Sequence, residues 1–205
     1  MIKSTSVYID PEADSGSQGV RRRNAPATRQ AILEAALQAF CEHGYDGCGL
    51  REIASAAGVT AVLINRYFGT KEALFAAAVD AAFEADSPFA GDLASLAPAF
   101  AKVLVAKTRA KQERADGFLL LLRSAANPRA AEILRNKIEQ KFAEPLGSAL
   151  RGRGADVRAA LFLAQVAGFQ LMSQVIGLGA LKKSDARAMT ASLAGMFEQT
   201  LLTDD

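Results

Sequence analysis

The chain has 205 residues, of which half are hydrophobic and only 7% are aromatic, and its net charge is +2. This composition favours helices over sheets, and the length is sufficient for one large or two small domains. Cys41, Cys48 and the single His43 have no well-spaced fourth ligand for tetrahedral zinc, which argues against a metal site. With no signal peptide and no apolar run long enough to span a bilayer, we expect a soluble, cytoplasmic, helical protein.

Residues 1–24 show no hydrophobic periodicity and are predicted to form a flexible, basic extension. No acidic residue occurs between positions 15 and 33, whereas Arg21, Arg22, Arg23 and Arg29 fall in that interval. A basic arm of this kind can follow DNA phosphates or enter a minor groove. The alternative is a solvated basic tail.

The first helix is predicted from about Thr28 to Gly44, with an apolar stripe of Leu33, Ala36, Leu37 and Phe40. A short second helix follows, in which Leu50, Ile53, Ala54 and Ala57 recur at helical spacing. We expect Cys41 to pack in this helical core, with a redox-sensing role as the alternative.

Gly58 ends the second helix, because glycine adopts the left-handed conformation without strain, and Thr60 is predicted to cap the next helix through its hydroxyl. In that third helix, Ile64 and Phe68 should face inward with Val59, while Ala61, Val62, Asn65 and Arg66 face outward. A short helix after a tight turn, with small and hydrogen-bonding residues outside, is typical of a helix-turn-helix. The pattern indicates a DNA reader and not a catalyst.

Thr70 is predicted to cap a fourth helix over 71–85, whose positive end and Lys71 suit a DNA phosphate. The turn-rich segment 86–92 then separates an N-terminal domain, 25–85, from a C-terminal domain, 86–205. Further helices are expected at 93–111, 116–126, 128–151, 157–177 and 185–202, with Asn127 as a cap and Pro145 as an interruption.

These N-terminal motifs resemble the TetR (tetracycline-repressor-like) family of bacterial transcriptional regulators. The resemblance rests on the first helix with Gly44 and Tyr45, on Leu-Arg-Glu-Ile-Ala at 50–54, on Ala-Gly-Val-Thr at 57–60, and on Arg-Tyr-Phe-Gly-Thr-Lys-Glu-Ala-Leu-Phe at 66–75. It implies an all-α fold in which a three-helix DNA-binding domain precedes a helical ligand-binding and dimerisation domain. The residues that it places at the DNA surface are Arg51, Thr60, Ala61, Val62, Asn65, Arg66, Tyr67 and Lys71.

Two positions depart from the family pattern. Gly49 stands where the family usually has Ser or Thr, which weakens a helix cap. Asn65 stands where the family usually has an aromatic residue, and an asparagine can bond adenine in a bidentate manner. We therefore expect Asn65 to read a base.

The last two predicted helices are candidates for a homodimer interface. The helix over 157–177 is apolar over much of its circumference, and Ala164, Gly168, Ala191 and Gly195 would allow close helix approach. The alternative is that both helices are simply core.

By resemblance, the C-terminal domain holds a small-molecule effector. Nine residues at helical spacing, mostly apolar, are the candidates for lining an effector pocket. Taken one at a time, each is more typical of a hydrophobic core. They are Phe100, Leu104, Phe118, Leu122, Phe142, Phe162, Gln165, Phe169 and Met172. Charged residues are sparse on these stretches, so the expected ligand is apolar or amphipathic.

The sequence therefore predicts a regulator, a repressor as is common in the family, that a small ligand releases from a palindromic DNA operator. The alternative is a helical lipid- or acyl-binding module without operator binding. We expect no enzyme and no cofactor, because the chain offers no convergent acid, base or nucleophile constellation.

Overall fold

A computed structural model describes residues 25–84, 93–109 and 116–202, and within these ranges every regular element is helical. The N-terminal part holds four helices: α1 at Ala25–His43, α2 at Leu50–Ala56, α3 at Ala61–Phe68 and α4 at Lys71–Glu84. Helices α1 to α3 form the three-helix unit, and α4 packs along α1. The predicted extension 1–24 and the predicted break 86–92 lie outside the described residues.

The C-terminal part is a helical layer in which α5 and α11 form the most extensive helix pair. Its elements are α5 at Leu93–Lys107, α6 at Gly117–Ser124, α7 at Pro128–Ile138, a π-helical segment at Glu139–Ala143, α8 at Glu144–Ala149, α9 at Ala155–Gln170, a second π-helical segment at Leu171–Val175, α10 at Gly179–Lys183 and α11 at Ala186–Leu202. The all-α architecture expected from the sequence is confirmed.

Two hydrophobic cores divide the molecule differently from the predicted break at residue 86. The first core holds Phe40, Ile53 and Phe75, and it also takes Leu120 of α6 and Leu134 of α7. The second is built from α5, α8, α9 and α11. Helices α6 and α7 therefore pack with the N-terminal helices although they follow α5 in sequence.

Local sequence signals account for three of the helix ends, at Gly58, Thr70 and Asn127. Gly58 has φ +67°, the left-handed conformation predicted for it. The side chain of Asn127 accepts hydrogen bonds from the amides of Arg129 and Ala130 at 2.9 and 3.1 Å, and Thr70 Oγ1 accepts one from Ala73 at 3.1 Å. These three predictions are confirmed.

The predicted helix over 128–151 is interrupted, as Pro145 suggested. The α-helical pattern gives way to the π-helical segment at Glu139–Ala143 and resumes one residue before Pro145. Proline lacks the N–H that would bond the carbonyl one turn earlier, and a π-helical turn accommodates the mismatch.

Candidate DNA interface and effector cavity

Helix α3 buries one side and exposes the other. Ile64 is 1% exposed and lies in the first core, whereas Val62 is 78% exposed and Asn65 and Arg66 are also at the surface. Positions 62, 65 and 66 are one helical turn apart, so their side chains share one face. This outward face offers one apolar group, one amide and one guanidinium to a partner.

Thr60 differs from its sequence prediction. It occupies the N-cap position of α3, and its carbonyl accepts bonds from Leu63 and Ile64 at 2.9 and 3.3 Å, but its hydroxyl makes no cap hydrogen bond. The predicted side-chain cap is therefore wrong. The backbone alone starts the helix, and the exposed hydroxyl remains at the surface that Val62 and Asn65 share.

Gly49 gives α2 no side-chain cap, as its sequence predicted. The side chain of Glu52 reaches back, and its Oε2 accepts a hydrogen bond from the Gly49 amide at 2.7 Å. This is the glutamate half of a capping box, which needs no side chain at the first position. Arg51 is exposed on the same short helix, as a phosphate-contacting residue must be.

The remaining predicted DNA residues lie at the border between surface and core. Ala61 and Tyr67 are half-buried and pack against the first core. The Lys71 ammonium lies 4.5 Å from the centre of the Tyr45 ring, a cation–π contact that holds the lysine at the start of α4. Arg21, Arg22 and Arg23 lie outside the described residues.

A further arginine belongs to this surface. The Arg29 guanidinium lies 4.8 Å from the centre of the Phe68 ring, so the exposed N-terminal end of α1 is tied to the end of α3. Arg29 fell in the basic run of the sequence but was not among the predicted DNA residues. Its cation–π contact was not visible from sequence, because Phe68 is 39 positions away in the chain.

A cavity of about 160 Å³ lies between the two cores. Its walls come from α4, α5, α6, the end of α7 with the following π-helical segment, and α9. The lining residues are Phe83, Phe100, Val103, Leu104, Lys107, Gly117, Phe118, Leu121, Ile138, Phe142, Leu163, Val166, Ala167 and Gln170. Apart from Lys107 and Gln170 this lining is apolar, so the cavity suits a mostly apolar guest.

Four of the nine predicted ligand residues, Phe100, Leu104, Phe118 and Phe142, meet in this cavity. The other five lie elsewhere. Phe162 is fully buried in the second core between Phe100 and Phe197. Phe169 packs against that core.

Three of these five residues are directed away from the cavity by their helix faces. Gln165 Nε2 donates to Thr200 Oγ1 at 2.8 Å, which ties α9 to α11. Leu122 and Met172 are exposed at the surface. The α9 residues that line this cavity are Leu163, Val166 and Gln170, one position away from the predicted stripe.

Helix α6 joins the cavity to the N-terminal helices. Its first turn places Gly117 and Phe118 in the cavity wall, and at its end Ser124 Oγ accepts a hydrogen bond from the Tyr45 amide at 3.1 Å. The Arg123 guanidinium donates to the Cys41 carbonyl. Any side chain on Gly44 would collide with the Arg123 carbonyl, so the two backbones are in direct contact.

Ion pairs connect α4 to α7 and to the π-helical segment that follows it. Asp80 of α4 binds Lys137 at 2.6 Å and Lys141 at 3.1 Å. Burial by itself would raise the pKa of Asp80, but the hydrogen bonds and charges of the two lysines outweigh it and lower the pKa. The carboxylate is therefore ionised and fastens α4 to the element that carries Phe142.

The two cysteines are buried thiols. Burial, followed by the negative charge of Asp116, raises the pKa of Cys41 to about 12, and burial also raises the pKa of Cys48. A thiol that stays protonated is a poor nucleophile, which argues against the redox-sensing alternative. In the described part of the chain no three His, Cys, Asp or Glu side chains lie close enough together to hold a metal ion.

An apolar face runs along α9 and α11. Val157, Leu161 and Met196 are each more than half exposed, and Gly168 and Gly195 have open space where a Cβ would stand. Large apolar side chains beside glycines form a surface that a second helix pair can approach closely.

Among the helices of the described ranges, none is long and apolar enough to cross a membrane.

The fold and site together define a helical protein in which a helix-turn-helix unit is joined to a cavity-bearing domain. The chain belongs to the TetR family: the model for bacterial regulatory proteins of that family matches residues 32–78, and the model for the tetracyclin repressor-like C-terminal domain matches residues 94–201, more than half of the chain.

Individual proteins share parts of this pattern. The HTH-type transcriptional regulatory protein RaaS of Mycobacterium tuberculosis is 53% identical over 53 residues, which are 25% of this chain and 24% of RaaS. The match thus spans about a quarter of that relative. Salmonella enterica GusR shares the fold with a TM-score of 0.63 and 23% identity over 87% of this chain and 97% of GusR. AibR, solved with isovaleryl coenzyme A and operator DNA, has a TM-score of 0.55 and 18% identity over 82% of this chain and 97% of AibR.

Proposed function

We propose that this protein is a sequence-specific DNA-binding repressor that a small, mostly apolar effector releases from a palindromic operator. The observation that carries the proposal is the outward face of α3, where Val62, Asn65 and Arg66 are exposed after a tight turn. Such a helix enters the major groove with its exposed side chains against base edges.

Each exposed group suits a different feature of DNA. Asn65 can donate to and accept from adenine, Val62 can contact a thymine methyl group, and Arg66 can pair with guanine or a phosphate. Arg51 and Lys71 flank this face and suit phosphates on either side of the groove. The exposed Thr60 hydroxyl is a further phosphate contact.

Operator binding requires two such heads. We assign the homodimer interface to the apolar face of α9 and α11, since burying Leu161 and Met196 removes exposed apolar area from water. A two-fold dimer would place its recognition helices about 34 Å apart or a multiple of that, in successive major grooves.

The cavity provides the switch. A ligand that enters it presses on α6, which is bonded to Tyr45 and Cys41, and on the element that Asp80 holds to α4. The ligand releases DNA because it binds more tightly to the dimer arrangement whose two recognition helices do not fit the operator. The equilibrium between the two arrangements can shift only as far as the difference between the ligand's affinities for them allows.

The alternative of a lipid- or acyl-binding module is not favoured by the cavity. Its volume of about 160 Å³ is below the roughly 300–1,000 Å³ of pockets that enclose drug-sized ligands, which leaves little room for a long acyl chain.

A fluorescence-anisotropy titration tests the proposal. The duplex is taken from the region just upstream of the protein's own coding sequence, with a scrambled duplex of equal length as control. We expect selective binding to a palindrome, with affinity falling steeply as salt rises because bound cations are released. Equal binding to both duplexes at every salt concentration would overturn the proposal.

The Asn65→Ala variant tests base reading separately. We expect it to lose about 1–3 kcal/mol of binding free energy on the palindrome and little on the scrambled duplex. If the substitution weakened binding to all DNA sequences equally, Asn65 would be a positioning residue and not a base reader.

A further inference from the structure

A polar side chain lies within the apolar face that runs along α9 and α11. Gln165 stands on α9 one turn after Leu161 and one turn before Gly168, so the three positions share the outward side of the helix. Its Nε2 donates to Thr200 Oγ1 of α11 at 2.8 Å, and the Thr200 hydroxyl donates to the Met196 carbonyl at 3.1 Å. Gln165 therefore lies at the seam between the two helices that we propose as the dimer interface.

The acceptor end of this amide has no partner within the subunit. Gln165 Oε1 is enclosed, and none of the groups that the structure describes donates a hydrogen bond to it. An enclosed carbonyl oxygen without a donor opposes folding, because it has given up its bonds to water. Nε2 carries two hydrogens, of which the bond to Thr200 uses one. The amide can therefore accept one further hydrogen bond and donate another.

Charged side chains on α9 do not determine how a second copy docks there. Between positions 159 and 180 the sequence contains no Asp, Glu, Lys or Arg. The outward side instead exposes apolar groups, among them Leu161 at 52% and Met172 at 42%. Apolar contacts are non-directional, so several registers of two such helices would have similar energies. A polar group inside an apolar interface can select one register.

The surroundings of Gln165 allow a second helix to come close. Gly168 has open space where a Cβ would stand, and Ala164, beside Gln165, is small and exposed. Two α9 helices can therefore cross at this turn with their backbones close together. A two-fold axis through the crossing places each residue near it against the same residue of the second copy. The terminal torsion of a glutamine side chain is soft, so the amide can turn toward that copy.

We propose that Gln165 fixes the register of the homodimer, because the Gln165 amides of two copies pair across the two-fold axis. Each Oε1 accepts a hydrogen bond from Nε2 of the other copy, and each Nε2 keeps its bond to Thr200 of its own copy. A carboxamide is self-complementary, as an isologous interface requires. This inference rests on the proposed homodimer and adds the contact that sets the spacing of its two DNA-binding heads.

Complementary charges test whether the two side chains meet. Two carboxylates would repel each other across the axis in Gln165→Glu, and two ammonium groups would do so in Gln165→Lys. By light scattering, each variant alone should need about ten-fold or more higher concentration than wild type to dimerise. When the two variants are mixed, about nine in ten dimers should be heterodimers, counted by native mass spectrometry with one variant isotope-labelled.

Gln140 provides the matched control, since it is an exposed glutamine outside α9 and α11. Gln140→Glu and Gln140→Lys should dimerise like the wild type. Their mixture should be statistical, with heterodimers as half of the dimers.

The Gln165→Leu variant separates register from association. Leucine keeps the face apolar, so we expect the dimer to persist. Operator affinity should fall about ten-fold or more, because dimers in other registers hold the two recognition helices at the wrong spacing. Binding to the scrambled duplex should not change.

Three results would overturn the inference: a statistical mixture of the Gln165→Glu and Gln165→Lys variants, monomers in that mixture, or wild-type operator affinity in Gln165→Leu. Failure of the proposed homodimer is a different outcome, because the wild-type protein would then be a monomer by light scattering. A wild-type dimer whose charged variants mix statistically refutes the contact at Gln165 alone.

Discussion

The Tyr45 backbone amide donates a hydrogen bond to Ser124 Oγ at 3.1 Å, and both residues are buried. Tyr45 follows α1, and Ser124 ends α6, whose first turn lines the cavity that we propose as the effector site. Because this N–H is buried, losing its acceptor costs stability, and under the proposed switch the same contact would transmit a movement of α6 to the N-terminal helices.

Removing that hydroxyl should reduce stability and coupling together. In Ser124→Ala the Tyr45 amide loses its acceptor, and we expect the free energy of unfolding to fall by about 1–3 kcal/mol in a urea titration. Effector-induced release of DNA should become weaker. Ser148→Ala, at an exposed position on α8, is the control and should change neither quantity. Full coupling in Ser124→Ala would remove this contact from the switch.

Because the Val62 side chain is exposed on α3, we expect operator affinity to depend on the methyl group of one thymine in each half-site. Replacing each operator thymine in turn by deoxyuridine removes only the methyl that Val62 would contact. At one position of each half-site, we expect this replacement to weaken wild-type binding and to have little effect on Val62→Ala. An anisotropy titration of the four protein and DNA combinations gives the coupling energy. Additive effects at every thymine would argue against the contact.

The ion pairs of Asp80 predict a stability difference that depends on pH. Because the folded protein lowers the pKa of Asp80, the ionised carboxylate stabilises the fold above the unfolded value of about 4, and that contribution is lost as pH falls through the lowered folded pKa. We expect Asp80→Asn to be less stable than wild type by about 1–3 kcal/mol at pH 7 in urea titrations. The two proteins should converge at low pH, and a constant difference between pH 7 and pH 2 would contradict the assignment.

The buried thiols should resist alkylation. With the pKa of Cys41 raised to about 12, almost none of it is thiolate at pH 8, and Cys48 is shifted in the same direction. Mass spectrometry after iodoacetamide treatment should show little modification in the folded protein and two modifications in urea. Rapid labelling of Cys41 in the native state would restore the redox-sensing alternative.

The apolar face of α9 and α11 predicts the oligomeric state. In the double variant Leu161→Glu, Met196→Glu, four charges would be buried in a two-fold interface, and we expect a monomer by light scattering and at least a hundred-fold loss of operator affinity. Ala126→Glu, at an exposed position between α6 and α7, is the control and should remain dimeric. A double variant that stays dimeric would place the interface elsewhere.

The sequence by itself determined the local structure. Gly58, Thr70 and Asn127 act at helix ends through backbone conformation and short-range hydrogen bonds, which depend only on neighbours in the chain. The outward placement of Asn65 and Arg66 also follows from helical spacing, once Ile64 is assigned to the core. The cap at Thr60 was the exception, since backbone bonding alone sufficed there.

Only the tertiary structure decided which face of a helix lines the cavity. Helix α9 is apolar on most sides, so periodicity could not distinguish the stripe of Phe162 and Gln165 from that of Leu163 and Gln170, which differs by one residue or about 100°. The rotation is set by the surroundings of the helix: one side packs against Phe197 of α11, and another borders the cavity that Phe118 of α6 also lines. Tertiary structure also decided that α6 belongs to the first core. Its continuous run of leucines could pack against any apolar surface, and the contacts with Gly44 and Tyr45 fix its position.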